Sequence, residues 1–186
     1  LMHLLTFLSI RLGNLFGVGQ SEWWIRIIPS LIPGILTICA LYRLALKLTN
    51  RKIALLSSLF VATSSFHIFY SQELRPYSLP ALWAILATWQ MLLMLKSKTK
   101  KPLILFIIFS ILGLYSSYLY PFLLIGQFVY LLKAKWSFSK IVVIGGLIVA
   151  GFLPWLPKFL EQLEAGQALR ITMPGWSETV SLPIFK

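Results

Sequence analysis

The chain has 186 residues, of which 58% are hydrophobic and only 12% are charged. Because an average soluble domain carries roughly 25% charged residues, this composition excludes an ordinary water-soluble fold and indicates a membrane protein. The net charge of +12 would suit a nucleic-acid partner, but most basic residues lie in short connections between apolar tracts, where they usually set membrane orientation. We therefore expect membrane lipids, and no nucleic acid, as partners.

The first segment, residues 1–17, reads "LMHLLTFLSIRLGNLFG". A short amphipathic helix of this kind fits the surface of a membrane better than its interior. The segment is therefore predicted to be an interfacial helix on the outer leaflet. Its polar residues recur at spacings near three to four and share one helical face: His3, Thr6, Arg11 and Asn14.

Several apolar tracts follow, each near the roughly 20 residues that a helix needs to cross about 30 Å of hydrocarbon. The tract at residues 102–132 has room for two short helices that turn at "YSSYLYP", where Pro121 can begin the returning helix. The sequence predicts an all-α fold, a multi-spanning transmembrane helical bundle within residues 1–157, and a start of an outer loop or amphipathic segment at residues 158–186. About six spans are expected, near residues 24–42, 53–70, 76–95, 102–116, 118–132 and 141–157.

The charged residues distinguish the two sides of the membrane. Three connections are basic and contain no acid, so the positive-inside rule places them in the cytoplasm; their basic residues are Arg43, Lys47, Arg51, Lys52, Lys96, Lys98, Lys100, Lys101, Lys133, Lys135 and Lys140. Successive connections between spans alternate between the two sides of the membrane. All five acids of the sequence are therefore predicted to lie on the outer side: Glu22, Glu73, Glu161, Glu164 and Glu178. Cys39 is the single cysteine, so an intrachain disulfide is excluded.

The stretch at residues 70–79 reads "YSQELRPYSL" and puts Glu73 and Arg75 between two apolar tracts. Pro76 disfavours a helical conformation at Arg75 and suits the first turn of the next helix, so the two charges are predicted to lie on a turn. One interpretation is a solvated loop that ends two spans. The other is an anion-binding turn, in which the guanidinium holds a phosphate and a helix N-terminus adds positive potential.

Arg26, His67 and the aromatic residues leave similar alternatives open. Arg26 begins a span, where its side chain would either extend to the interface or contact a phosphate. His67 is expected to be a hydrogen-bonded helix residue rather than a metal ligand, since no cluster in the sequence has metal-ligand spacing. Tyrosine and tryptophan, including Tyr77, are more frequent at the predicted outer level, which suits either an interfacial belt or a platform for a sugar or prenyl chain.

The stretch "YSQELRPYSL" resembles the Y-S-Q-E-x-R-x-Y-x-L signature of bacterial membrane glycosyltransferases of the family 39 type. These enzymes are related to protein mannosyltransferases and to the lipid A aminoarabinose transferase. The flanking order is similar too, with "LFGVGQSEWWIRIIPSL" and "YRLALKLTNRKIALL" before the signature and "FLPWLPKFLEQ" after it, so the resemblance covers most of the chain. It implies a GT-C fold in the bacterial inner (plasma) membrane, which is part of the cell envelope. The active site of this fold lies on the outer, extracytoplasmic face.

The resemblance also implies an activity, the transfer of a sugar from a polyprenyl-phosphate donor to a lipid, glycan or protein acceptor. The catalytic carboxylate of the family is an Asp in the first outer loop, which would lie upstream of Leu1. The sequence contains no Asp, so residues 1–186 are expected to be a truncated fragment, inactive by itself. Ser116 and Ser117 replace the usual Thr-His pair, and the resemblance leaves the use of a divalent metal ion open.

Four residues are assigned to substrate binding on this basis. Arg75 would stabilise the leaving phosphate and Glu73 would orient Arg75 or contact the acceptor, while Arg26 and Tyr77 would contact the donor. The main alternative is a fragment of a transporter or flippase for lipid-linked sugars. Such proteins usually carry charged groups near the middle of the membrane, whereas four of the apolar tracts have none. A purely structural subunit is a third alternative, but it gives no reason for the acids to gather on one side.

Overall fold

The computed structural model describes residues 2–73, 77–97 and 99–161, and in these ranges the secondary structure is helical throughout, without strands. The predicted all-α membrane bundle is confirmed. The helices are α1 (Met2–Asn14), α2 (Glu22–Arg26), α3 (Ile32–Leu48), α4 (Arg51–Thr63), α5 (Ser65–Gln72), α6 (Ser78–Lys96), α7 (Lys101–Ser116), α8 (Tyr120–Lys133) and α9 (Phe138–Phe152). The chain divides into two compact units, residues 1–150 and 151–186.

Within the described residues, three helical segments are long and apolar enough to cross a membrane: Glu22–Leu48, Ser78–Lys96 and Phe138–Glu161. Helices α4 and α5 together make a fourth candidate, bent by 57°. Helices α7 and α8 have only 16 and 14 residues, in keeping with the two short helices expected there. Each of the six predicted spans thus contains a helix, and three of them, or four with the bent pair, reach spanning length.

The expected continuous helix over residues 53–70 is broken in the structure at Ser64. Ser64 has an extended backbone (φ −66°, ψ 119°), and its side-chain oxygen accepts a hydrogen bond from the backbone N–H of His67 at 3.4 Å. Serine is a preferred N-cap because its oxygen satisfies a free N–H group in the first turn. Because Ser64 caps a new helix, the first helix stops at Thr63 and the next begins at Ser65. This capping signal was hard to recognise in the sequence because the surrounding tract is apolar.

The helix expected to start at Pro76 begins two residues later, at Ser78. Its first turn contains Pro80, a position at which the missing N–H costs nothing because the first four N–H groups of a helix have no partner within it. The turn between α7 and α8 is placed as predicted. Helix α7 ends at Ser116, and Pro121 is the second residue of α8.

The three basic connections join α3 to α4, α6 to α7 and α8 to α9. Helices α3 and α4 pack against each other, as do α6 and α7, so the connections lie at one end of these hairpins, called here the basic end. The opposite end contains α2, the turn between α5 and α6, and the turn between α7 and α8, and is called the signature end. Of the acids, Glu22 and Glu73 lie in the described part of the first unit and belong to the signature end, opposite the basic connections.

The apolar core lies among helices α6 to α9. Many large apolar side chains outside this core remain exposed, among them Phe60 and Phe122 at 72% each, as expected for surfaces that face lipid. The core consists of Ala87, Met91, Met94, Phe106, Tyr120, Leu124, Leu131, Ile141, Ile144 and Ile148.

Helix α1 is attached to the start of the first long helix by two reciprocal hydrogen bonds. The Ser9 hydroxyl donates to the Trp24 carbonyl at 2.9 Å, and the Trp24 indole N–H donates to the Ser9 carbonyl at 2.8 Å. Gly13 permits this approach, since a Cβ there would lie 2.3 Å from the indole nitrogen. The interfacial position of α1 in a membrane remains a prediction.

Within the second unit, the described residues 151–161 are helical, with a 3-10 turn at Leu153–Trp155. Lys158 and Glu161 form an exposed ion pair at 3.3 Å. The predicted outer segment at residues 158–186 lies mostly outside the described residues.

Candidate functional site

Helices α2 and α3 are joined by one π-helical turn, Ile27–Leu31, and together form a single 27-residue helical segment. Pro29 lies inside this turn, where its ring would clash with a regular α-helical ladder. The wider turn accommodates the proline, because the N–H of Ile32 bonds to the carbonyl of Ile27, five residues earlier. Such π-turns occur frequently at functional sites, and this one lies directly after Arg26.

A cleft of about 320 Å³ opens beside the π-turn, between the α2 segment and the end of α5. Arg26 lines the cleft and forms an ion pair with Glu22, one helical turn earlier. The side chains of Arg26 and Glu22 are 40% and 81% exposed, so the pair is solvated and its partners can separate at low cost. The full lining is Glu22, Trp23, Arg26, Ile27, Leu31, Ser71 and Gln72.

The signature stretch is fixed to this helix through its backbone. The buried Ser30 hydroxyl donates a 2.6 Å hydrogen bond to the carbonyl of Glu73. On the other side of the turn, the buried Ser78 hydroxyl donates to the carbonyl of Tyr70 at 3.0 Å. Glu73 is therefore held against the helix that carries Arg26, and the start of α6 is held against the end of α5.

Helices α3 and α5 approach closely behind the cleft, at Gly34. A Cβ on Gly34 would lie 2.4 Å from the Ser71 hydroxyl oxygen, so only glycine fits here. The Gly34 carbonyl lies 3.2 Å from Nε2 of His67, which confirms the hydrogen-bonded role expected for that histidine. Among the described residues, no three His, Cys, Asp or Glu side chains come together in a way that could hold a metal ion.

A second, smaller cavity of about 140 Å³ lies along α3 and α5. It shares Leu31, Ser71 and Gln72 with the cleft. Its further lining is mostly apolar and consists of Gly34, Ile35, Ile38, Ala62, His67 and Ile68. The cleft beside Arg26 therefore adjoins a mostly apolar groove.

Aromatic rings from the end of α5 pack against Tyr77, just before α6. The ring of Tyr70 packs edge to face against Phe66 and Tyr77, with centroid distances of 4.5 and 4.3 Å. Tyr77 itself is 46% exposed. The cluster therefore presents part of an aromatic surface to its surroundings.

The structure brings together only some of the predicted site residues. Arg26 lines the cleft, and Glu73 is half-buried at the turn with its carbonyl held by Ser30. Neither Glu73 nor Tyr77 is among the residues that line the cleft. Arg75 lies outside the described residues, although the segments on both sides of it are described.

Ser116 and Ser117, which replace the Thr-His pair, form hydrogen bonds at the end of α7 and in the turn that follows it. The Ser116 hydroxyl donates to the carbonyl of Leu112 at 2.7 Å, and the Ser117 oxygen accepts from the N–H of Leu119 at 3.2 Å. Both bonds are local to the turn. They give these serines a role in ending the helix.

Sequence reasoning missed several residues of this site. Ser71, Gln72 and Ser78 belong to the signature stretch itself. Their polar side chains, close in sequence to Glu73 and Arg75, could have marked them as candidate site residues. Ser30 had a weaker signal, since it is a serine between Pro29 and Pro33 inside an apolar tract. The pairing of Glu22 with Arg26 follows from their spacing of four residues on a helix.

Over the described residues, the helices and the cleft define an all-helical membrane protein with a pocket at one end that contains the Glu22–Arg26 ion pair. The chain belongs to the dolichyl-phosphate-mannose-protein mannosyltransferase family, because the model of this family matches residues 4–157. It is therefore a membrane glycosyltransferase of the mannosyltransferase type, which favours an enzyme over a transporter or a structural subunit. No curated protein and no solved structure matches the chain significantly.

Proposed function

We propose that this glycosyltransferase takes its sugar from a polyprenyl-phosphate donor and transfers it to a lipid, glycan or protein acceptor at the cleft beside Arg26. The observation that carries the proposal is that the cleft beside Arg26 adjoins a mostly apolar groove along α3 and α5. A lipid-linked sugar has the same two parts, an anionic head and an apolar chain. The family description, which names a dolichyl-phosphate-linked mannose, supports the same donor class.

In the proposed reaction, a hydroxyl oxygen of the acceptor attacks the anomeric carbon of the donor sugar. The bond from that carbon to the phosphate oxygen breaks, the polyprenyl phosphate leaves with the electron pair, and the hydroxyl proton passes to a carboxylate base. The family resemblance assigns this base to an Asp upstream of Leu1, so none of the five glutamates is assigned to it. No step is assigned to a metal ion.

In this proposal, Arg75 and Arg26 interact with the negative charge of the donor phosphate. Negative charge grows on the phosphate as it leaves, so a guanidinium beside it stabilises the transition state more than the ground state. We assign this task to Arg75, with Arg26 as a second contact to the donor phosphate. Glu73 is proposed to orient Arg75 or to contact the acceptor, and Tyr77 to pack against the donor.

We place the cleft on the extracytoplasmic face of the inner (plasma) membrane. The support is the position of the basic connections at the opposite end of the bundle, since basic loops favour the cytoplasm. A cysteine introduced at Gln72 in a Cys39→Ser background should react with a membrane-impermeant maleimide added to intact cells. A cysteine at Lys52 should react only after the cells are opened, and the reverse pattern would refute this orientation.

The proposed donor site is tested with Arg75→Ala and Arg26→Ala in the full-length protein, reconstituted in liposomes with radiolabelled polyprenyl-phosphate mannose. We expect the rate of transfer to fall by roughly 100-fold or more for Arg75→Ala, the size seen when a group that stabilises transition-state charge is removed. Arg51→Ala removes an exposed arginine at the basic end and should retain the normal rate. Normal transfer by both Arg75→Ala and Arg26→Ala would exclude the proposed donor site.

A further inference from the structure

A second groove lies at the other end of the bundle, between α7 and α9. Its volume is about 410 Å³, and its walls are almost entirely apolar. Leu103 and Ile107 contribute one wall, and Val143 and Leu147 the other. Residues 140–147 of α9 extend over about 10 Å at 1.5 Å per residue, so the groove is long enough to hold the first part of an acyl chain.

The mouth of this groove is cationic. Lys140 lines the groove, and its ammonium lies 6.0 Å from the ring centroid of Trp136, which also lines it. A cation over an aromatic ring is attracted to the negative face of that ring. The groove therefore combines an apolar interior with a fixed positive group at its entrance.

The surroundings of the mouth are also positive. Helices α7 and α9 both begin at the basic end, so the positive ends of their dipoles point to the same region. Lys101 begins α7, two residues before Leu103, and its side chain is exposed. The sequence contains no acidic residue from position 74 to position 160, so no carboxylate of the surrounding helices neutralises this charge.

We propose that the groove between α7 and α9 binds an anionic phospholipid of the membrane leaflet at the basic end. The phosphate group of the lipid lies against Lys140, and one acyl chain occupies the channel between Leu103 and Leu147. Charge complementarity selects this occupant, because basic pockets between transmembrane helices attract anionic headgroups. This inference rests on the groove and its charges, and it does not depend on the proposed sugar transfer.

The test is a titration of the full-length protein, purified in neutral detergent, with phosphatidylglycerol, followed by native mass spectrometry. Lys140→Gln should weaken the tightest bound lipid by about fivefold, the effect of one basic residue near an anionic headgroup. Lys52→Gln is the matched control, since Lys52 is exposed at the same end but lines none of the cavities described here. Equal affinities of the two variants would overturn the proposal, as would equal binding of phosphatidylcholine and phosphatidylglycerol by the unmodified protein.

A second pair of variants tests the acyl-chain channel. Val143 and Val149 are exposed on the same helix at 61% and 59%, so both positions tolerate a larger side chain. Val143→Trp should fill the groove and abolish retention of the lipid, whereas Val149→Trp should retain it. If Val143→Trp keeps the lipid, or instead releases a bound polypeptide, the groove does not hold an acyl chain.

Discussion

The signature end and the core of α6 to α9 are held together by different forces. At the signature end, side chains join separate helices through hydrogen bonds to backbone carbonyls, as Ser30 does to Glu73 and Ser78 to Tyr70. In the core, contact is mainly apolar, with Phe106 and Leu131 fully buried. Four buried polar atoms there have no hydrogen-bond partner in the described part of the chain: Trp83 Nε1, Ser110 Oγ, Tyr120 OH and Gln127 Oε1.

Because of this difference, the core should mainly determine the stability of the protein, and the signature end should mainly determine the geometry of the candidate site. Lipid tails are as apolar as leucine, so helices in a membrane associate through close packing more than through the hydrophobic effect. Packing of this kind resists unfolding but specifies the position of a loop only loosely. Hydrogen bonds are directional, and a reacting group must be held within about 0.5 Å of its productive position. We therefore expect substitutions in the core to lower stability, and substitutions at the signature end to lower activity more than stability.

The largest loss of stability is expected for Phe106→Ala in the core. Phe106 is fully buried, and its truncation would leave a cavity that costs about 3–5 kcal/mol in the free energy of unfolding. Phe60→Ala makes the same change at a side chain that is 72% exposed and should cost much less. Unfolding of both variants in detergent, followed by circular dichroism, gives the comparison. Equal losses would mean that the core among α6 to α9 is not packed as described.

Gly34→Ala tests the close approach of α3 and α5 at the signature end. The added Cβ would lie 2.4 Å from the Ser71 hydroxyl oxygen and 2.7 Å from the Ser71 Cβ, so the helices must separate, at a cost of about 1–2 kcal/mol. Gly146→Ala is the control, because nothing lies within 4 Å of a Cβ there. That variant should be unchanged or slightly more stable, since alanine favours helix. Thermal unfolding that ranks the two in the opposite order would contradict the α3–α5 contact.

Ser30→Ala is the variant for which the loss of transfer activity should most exceed the loss of stability. Loss of its hydrogen bond to the Glu73 carbonyl should cost only about 1 kcal/mol in stability, yet the signature turn loses its anchor and transfer should fall several-fold. Ser58→Ala also removes a buried hydroxyl, but that hydroxyl bonds within its own helix, to Ala54 at 2.7 Å. Transfer assays in liposomes should therefore show a loss for Ser30→Ala alone. A similar loss in both variants would assign the effect to general destabilisation.

The smallest effect is expected for Glu22→Gln in the cleft. The exposed Glu22–Arg26 pair is worth at most about 0.5 kcal/mol in stability, but its removal leaves Arg26 free for a donor phosphate. We expect the KM for the donor to fall by about twofold at low salt, with a smaller change at high salt because salt screens exposed charges. Glu161→Gln alters a similar exposed pair elsewhere and should leave the KM unchanged. An increase in KM for Glu22→Gln would mean that Glu22 itself contacts the substrate.

The class of fold could be predicted from the sequence because it depends on properties that are summed over long tracts. About 20 apolar residues per helix and the absence of charge within them are sufficient to indicate membrane helices, and Pro121 marked the turn between α7 and α8 correctly. The signature stretch also contains Ser71 and Gln72, which line the cleft in the structure. The break at Ser64 was missed because one capping serine is a weak signal inside an apolar tract.

The sequence alone determined the all-helical membrane fold, the concentration of basic residues in three connections, and the likeness to membrane glycosyltransferases. Only the tertiary structure decided that Ser30 holds the carbonyl of Glu73, that Gly34 lies against Ser71, and that the cleft beside Arg26 adjoins a mostly apolar groove. The physical reason is distance along the chain. Hydropathy and charge act locally and can be added up residue by residue, whereas Ser30 and Glu73 are 43 positions apart and meet only because packed helices bring them together.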